Sequence, residues 1–199
     1  MVINTIKNRL LSSDFKYPRE FQKILNQFSN DFILDAKDEE KLFNAYNIGL
    51  KAHKGQKRKS GGKYFDHCIE VCIQLISWNM DLNTIIAGLL HDTIEDTELT
   101  TKELEDEFGK DIANLVNGVS KLSGIKFRDS KHKQAENFMK MFLSISQDLR
   151  VIIIKFSDRL HNMKTLKYLP ENKQERIALE TREFLTVSSI FCCSCQVKV

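Results

Sequence analysis

The chain of 199 residues has the length of one domain with a short extension. Hydrophobic residues at 42% supply a core without a metal or disulfide scaffold, and charged residues at 29% exclude wholesale disorder. Eight Gly and two Pro are too few for a turn-rich all-β chain, and no apolar run approaches the roughly 18 residues of a membrane helix. The N-terminus lacks the apolar stretch and cleavage site of a secretory signal. The five cysteines, two mid-chain and three near the end, form no disulfide framework, so a reducing cytoplasm is the expected compartment.

In chain order, the first 35 residues carry Phe15, Tyr17, Phe21, Leu25 and Phe28 around Pro18 and predict two short helices packed on the main body. From Asp38, the spacing of Leu42, Phe43, Tyr46 and Leu50 predicts a helix running to about His53. The stretch KGQKRKSGGK is polar, basic and Gly-paired, hence a loop. Helical periodicity resumes at Ile69, Cys72, Ile73 and Ile76 and stops near Trp78 and Asn79; a second apolar stretch, Ile85 to Leu90, leads into His91-Asp92. Thr100 and Glu103 read as a capping box, with Gly109 as the stop. Ile112, Leu115, Val116 and Val119 make another helical face, and a further helix is expected over 130–147. Val151 to Ile154 has the composition of a buried strand, but the pattern continues through Phe156, Leu160, Met163 and Leu166, which predicts a buried helix. Pro170 separates it from a last helix over about 171–185. The expected fold is all-α, with no internal repeat or linker.

The net charge of +3 is too weak for bulk nucleic-acid binding, but its distribution is uneven. Residues 51–65 hold six Lys/Arg and no acid, whereas residues 92–111 hold nine Asp/Glu against two Lys. Such polarity suits a site that holds an anionic ligand with one element and a cation with another. His91 and Asp92 are neighbours able to reach one ion at a helix end, and Glu95 and Asp96 follow each of them by four residues, one turn on. An acidic, solvated helix end fits the same residues. Asp158, His161 or Asn162, and Thr165 make a polar stripe on an apolar helix, where a buried carboxylate needs a metal or a partner such as Lys155 or Arg159. His67 opens a helix after the basic loop, as a cap or as a ligand. Together His67, His91, Asp92 and Asp158 would give two imidazoles and two carboxylates, a set that suits Mn²⁺ best, with Fe²⁺, Zn²⁺, Co²⁺ or Mg²⁺ as alternatives, and that lacks the thiolates of a structural zinc site.

The order His67, His91-Asp92, Asp158 resembles the signature of HD-domain metal-dependent phosphohydrolases. AHKGQKRKSGGKYFDH, GLLHDTIEDT, LVNGVSKL, QAENFMKM, DLRVIIIKFSDRLHNMKTL and KQERIALET resemble, in order, the hydrolase domain of RelA/SpoT-type proteins, from about Ala45 to Glu183. The resemblance implies an HD-domain helical bundle over 38–185, after a helical extension (1–37) and before a divergent tail (186–199). It implies a hydrolase, dependent on one Mn²⁺ per site, that removes pyrophosphate from the ribose 3′ position of the alarmone (p)ppGpp to leave GDP or GTP. By position, His67, His91, Asp92 and Asp158 match the metal ligands, and Glu95 and Asp96 the carboxylates that orient and deprotonate the attacking water. Arg58 and Lys59 match residues that pack on guanine and hold the nucleotide; Ser60, Asn162 and Thr165 match further pocket residues. The expected partner is this small nucleotide, with neither nucleic acid nor membrane, and a homo-oligomer stays open. An HD phosphohydrolase acting on another nucleotide such as NADPH, or an inactive nucleotide-binding domain, are the alternatives. The chain departs from the family at Gly62, Lys63 and Cys68, where a Glu and two Pro are usual, and in the tail FLTVSSIFCCSCQVKV.

Overall fold

The structure is a computed structural model that describes residues 17–28, 34–123 and 147–196, with side chains through residue 186. Among the described residues the regular elements are helices: α1 (Arg19–Leu25), α2 (Ala36–Ala52), α3 (Tyr64–Ser77), α4 (Leu82–Leu89), α5 (Thr93–Asp96), α6 (Thr101–Phe108), α7 (Lys110–Ser123), α8 (Arg150–Lys164) and α9 (Glu171–Gln196), with a 3₁₀ turn at Leu166–Tyr168 between the last two. The all-α expectation holds. The helix expected over 130–147, save its last residue, and the first of the two N-terminal helices lie outside the described residues.

Local chemistry sets most of the boundaries. The α2 helix starts before Asp38, because the Asp35 side chain accepts from the Asp38 amide at 2.8 Å and moves the cap upstream. Its buried stripe of Leu42, Ala45, Tyr46 and Gly49 faces the core. An aromatic ladder joins the N-terminal segment to it: Tyr17 meets Phe21 and Phe43 with centroids 5.0 and 4.7 Å apart, and Tyr46 meets Phe65 of α3 at 5.4 Å. The Thr100–Glu103 capping box forms as expected, and Gly109, at φ 87°, ends α6.

At the centre lies α3, with Phe65, Cys68, Val71, Cys72 and Leu75 buried, packed against α4 and α8. The α4 helix comes so close that a Cβ built on Gly88 would stand 2.2 Å from Leu75 Cδ1. The run Val151–Ile154 is helical, as expected, with α8 packed on both α3 and α7. Ser157 donates to the Val71 carbonyl at 3.0 Å, fixing the register of α8 on α3. Arg150 at the start of α8 reaches Asp81, the cap of α4, at 3.3 Å, and Asp111 of α7 and Asp148 at 2.7 Å each. The last helix runs beyond 185 to Gln196, since no breaker interrupts it, and Phe184 is buried against Phe156. No helix among the described residues is long and apolar enough to cross a membrane.

Candidate metal centre and adjoining cleft

The three helices that cross at the centre each bring part of one cluster. His67 lies one turn into α3, and Asp158 lies on the face of α8 turned to α3. His91-Asp92 occupies the break between α4 and α5, because the helix stops at Leu90 before the pair rather than running into it. All four side chains are buried. His67 Nε2 is 3.3 Å from Asp158 Oδ1 and 3.7 Å from Asp92 Oδ2; His91 Nε2 is 3.0 Å from Asp92 Oδ2 and 3.9 Å from Asp158 Oδ1. An ion about 2.1 Å from each donor sets neighbouring donors roughly 3.0–3.4 Å apart, so the spacing is close to that of a shared ion.

The fit is supported by a second feature. His91 Nδ1 bonds the Gly88 carbonyl at 2.8 Å, which turns Nε2 inward, and that buried nitrogen has no hydrogen-bond partner. His67, His91 and Asp158 form a buried group that could hold a metal ion, and Cys68, His91 and Asp92 form another. The Cys68 thiol, pushed well up by burial and by Asp92 and Asp158, is protonated in the absence of an ion.

Electrostatics tie these groups together. Burial pushes the Asp158 carboxyl up, but Lys155 and the two imidazoles outweigh it and hold the group well below the usual carboxylate range. Burial likewise raises Asp92, and the charge of the neighbouring His91 reverses the shift. Burial lowers His67, while the neighbouring Asp92 overcomes burial at His91 and raises it. Of the partners considered for Asp158, Lys155 takes Oδ2 at 2.7 Å, whereas Arg159 turns to Glu180 at 3.5 Å. The salt bridge and the donor cluster coexist, because Oδ1 remains on the side of His67.

The second set of expected residues lines one cleft beside this cluster. Arg58, Lys59, Ser60, Asn162 and Thr165 surround a space of about 230 Å³, with Tyr168, Leu169 and Ile177 as its apolar wall. The loop carrying the first three is braced. Lys57 and Lys63 form an antiparallel bridge, Arg58 N donates to the Gly62 carbonyl and Gly61 N to the Arg58 carbonyl, each at 2.9 Å, and Gly61 takes φ 86°. At its foot the Gln56 side chain joins His53 Nδ1 to the Asp96 carbonyl, each at 2.8 Å. Arg58 turns inward to Asn162 Oδ1 and to His161 Nδ1, the latter at 3.2 Å. Asn162 in turn donates to Asp158 Oδ1 at 2.6 Å, and His161 Nδ1 lies 2.6 Å from His67 Nδ1. Burial, with His67 and Arg58 alongside, lowers His161 to about 4.

Glu95 and Asp96 stand at the exposed rim. Partial burial raises the Glu95 carboxyl against the pull of Ser123 and Lys155, and Ser123 also accepts from Lys155 at 2.8 Å. The sequence reading missed Tyr64, whose hydroxyl contacts both Asp92 and Asp96, and it left Lys155 as one option among others. A signal for both was present: Tyr64 precedes His67, and Lys155 precedes Asp158, by three residues on one helical face.

Comparison with known proteins matches most of the chain. The Escherichia coli (strain K12) bifunctional (p)ppGpp synthase/hydrolase SpoT is 50% identical over 143 residues, 72% of this chain and 20% of that protein. A GTP pyrophosphokinase of Myxococcus xanthus is 45% identical over 167 residues, 82% of this chain and 21% of that protein. The chain thus spans about one fifth of the length of these curated relatives. The solved structure of a metazoan ortholog of SpoT that hydrolyzes ppGpp superimposes with a TM-score of 0.60 at 22% identity, over 78% of this chain and 87% of that one, a likeness of fold. The family model described as "HD domain" matches residues 45–185, most of the chain, and on that match the protein belongs to the HD-domain family.

Proposed function

We propose that the protein hydrolyses (p)ppGpp at the ribose 3′ position, in the cytoplasm and with one Mn²⁺ per site, releasing pyrophosphate and GDP or GTP. The observation that carries this reading is the adjacency of two sites. A cleft with Arg58, Lys59 and Ser60 on one wall and Asn162 and Thr165 on the other opens beside four converging N/O donors. The segment that holds both, residues 45–185, is the one matched as an HD domain, and a relative named for (p)ppGpp synthesis and hydrolysis is 50% identical over 72% of this chain.

In this reading the hydrolase unit is residues 38–185, with 1–37 an N-terminal extension and 186–199 a divergent tail. His67, His91, Asp92 and Asp158 hold the ion; two imidazoles and two carboxylates favour Mn²⁺ over ions that need thiolates. When bound, the ion lowers the pKa of its water and neutralises phosphate charge. Asp96 and Glu95, at the rim, orient the attacking water and accept its proton. Arg58 packs its flat guanidinium on the base, and Lys59 holds the phosphates as a point charge. Ser60, Asn162 and Thr165 complete the nucleotide pocket. The bond broken lies between the ribose 3′ oxygen and phosphorus; water oxygen ends on the released pyrophosphate and a proton on the 3′ hydroxyl.

The test is turnover of ppGpp by the purified chain with and without Mn²⁺, resolving GDP and pyrophosphate, with NADPH as the competing substrate. Metal-dependent release of pyrophosphate is expected. Phosphate release from NADPH with ppGpp untouched would move the activity to another nucleotide, and bound metal without turnover of either would leave a binding domain.

A further inference from the structure

We propose that Tyr64 is a positioning residue that holds the Asp96 carboxylate once an ion occupies the His–Asp cluster, an inference resting on the reading of Asp96 as proton acceptor. The Tyr64 hydroxyl lies 2.8 Å from Asp92 Oδ2 and 2.8 Å from Asp96 Oδ2. A phenol carries a single hydrogen, so it donates fully to one carboxylate at a time. The two acceptors are not equivalent. Asp92 Oδ2 is the oxygen 3.0 Å from His91 Nε2 and 3.7 Å from His67 Nε2, the one turned toward the donor cluster. A cation held there would engage a lone pair of that oxygen and draw off its charge, leaving Asp96 the stronger acceptor for the phenol hydrogen.

The ring cannot easily follow another partner. It stacks on His53 with centroids 5.0 Å apart and planes 24° apart, and the Arg58 guanidinium carbon lies 5.7 Å from its centroid. Its backbone amide donates to the Gln56 carbonyl at 3.0 Å. Asp96, by contrast, is exposed on the single turn of α5, where an unheld carboxylate samples several rotamers. Tyr64 also lines the nucleotide cleft, so the same ring bounds the base-binding wall and fixes the acid beyond it.

The experiment compares wild type, Tyr64→Phe, Asp96→Asn and the double variant in Mn²⁺ titrations and in ppGpp kinetics. Tyr64→Phe should lower kcat by about 10- to 100-fold, the loss of a hydrogen bond to a charged group, with KM and Mn²⁺ affinity each within about threefold of wild type. Added to Asp96→Asn, it should cost nothing further, because the tyrosine acts through that carboxylate. An additive loss overturns the proposal, as does a tenfold or greater loss of Mn²⁺ affinity, which would place the tyrosine's effect on Asp92. A readout independent of turnover uses 3-fluorotyrosine in the Zn²⁺-loaded protein. The ¹⁹F resonance that vanishes in Tyr64→Phe should move on Asp96→Asn, and a resonance that stays in place overturns the proposal. Wild type that binds Mn²⁺ yet leaves ppGpp intact refutes the alarmone reading instead, and the fluorine measurement still decides the role of Tyr64.

Discussion

Replacing Lys155 with methionine tests whether the buried cluster is electrostatically built around an ion. The Lys155 and Asp158 side chains are 7% and 6% exposed, with Nζ 2.7 Å from Oδ2, and the ammonium also donates to Ser123 at 2.8 Å. At that distance the pair attracts by about 6 kcal/mol for an effective dielectric of 20, before the desolvation of either charge is subtracted. Removing one partner of such a pair costs about 3–5 kcal/mol, because the other charge stays buried alone. Asn162 and His67 still face Asp158 Oδ1, so the low end, about 3 kcal/mol, is expected for EDTA-treated protein. For a domain of this size that is a fall of roughly 6–12 °C in Tm. Saturating Mn²⁺ supplies a positive charge at the same carboxylate and should recover about 2 kcal/mol of the loss. By linkage the variant then binds Mn²⁺ about 30-fold more tightly than wild type. Urea unfolding with and without Mn²⁺, together with a direct metal titration, checks both sides of the cycle. Equal destabilisation in the two conditions, or weaker Mn²⁺ binding by the variant, would refute the argument.

The remaining predictions address the division of labour in the site and the packing that supports it. Asp92→Ala should lose Mn²⁺ and activity together, whereas Asp96→Asn should keep the metal and lose turnover by about 100-fold or more; equal metal loss in both would abolish the distinction between holding the ion and handling the proton. Gly88→Ala places a Cβ 2.2 Å from Leu75 Cδ1 in a fully buried contact. It should destabilise by about 1–2 kcal/mol after the gain in helix propensity and weaken Mn²⁺ binding, since the Gly88 carbonyl orients His91; unchanged unfolding and titration curves would contradict this. Hydrogen bonds from Arg150 hold Asp111 and Asp148 below the ordinary 3.8. Depressed carboxylates stabilise fully above that value, and the contribution is lost as pH falls through their lower folded-state values. Arg150→Ala should therefore cost about 1 kcal/mol near neutrality, a modest figure because the groups are partly exposed, and almost nothing near pH 2. A deficit that persists in acid would mean that the arginine works by packing instead.

Much of the architecture could be read from residue order because local signals and burial agree. The Thr100–Glu103 box and the Gly109 stop are short-range chemistry, and they form where expected. Val151–Ile154 was open to two readings over four residues; the continuation to Asp158 and beyond decided for helix, and only a helix puts Lys155 over Asp158. The four expected donors, scattered in sequence, do converge, as do the five residues expected around the nucleotide. What escaped was contact between side chains from different helices. His161 against His67 and Tyr64 against Asp96 depend on how α3, α5 and α8 cross, which periodicity along one chain does not encode. The helix end at His91-Asp92, by contrast, was legible, because the apolar run stops at Leu90 where the helix does.

The Gln56 bridge bears on how such a site tells one nucleotide from another. Its side chain bonds the backbone of Asp96, and its own backbone carries the amide of Tyr64, so the foot of the basic loop and the rim carboxylate share one anchor. On the proposed function, a guest that seats Arg58, Lys59 and Ser60 poorly would therefore disturb the placement of Asp96 as well. Discrimination in such an arrangement falls on the rate of reaction more than on occupancy: ill-fitting nucleotides enter, remain, and leave unchanged.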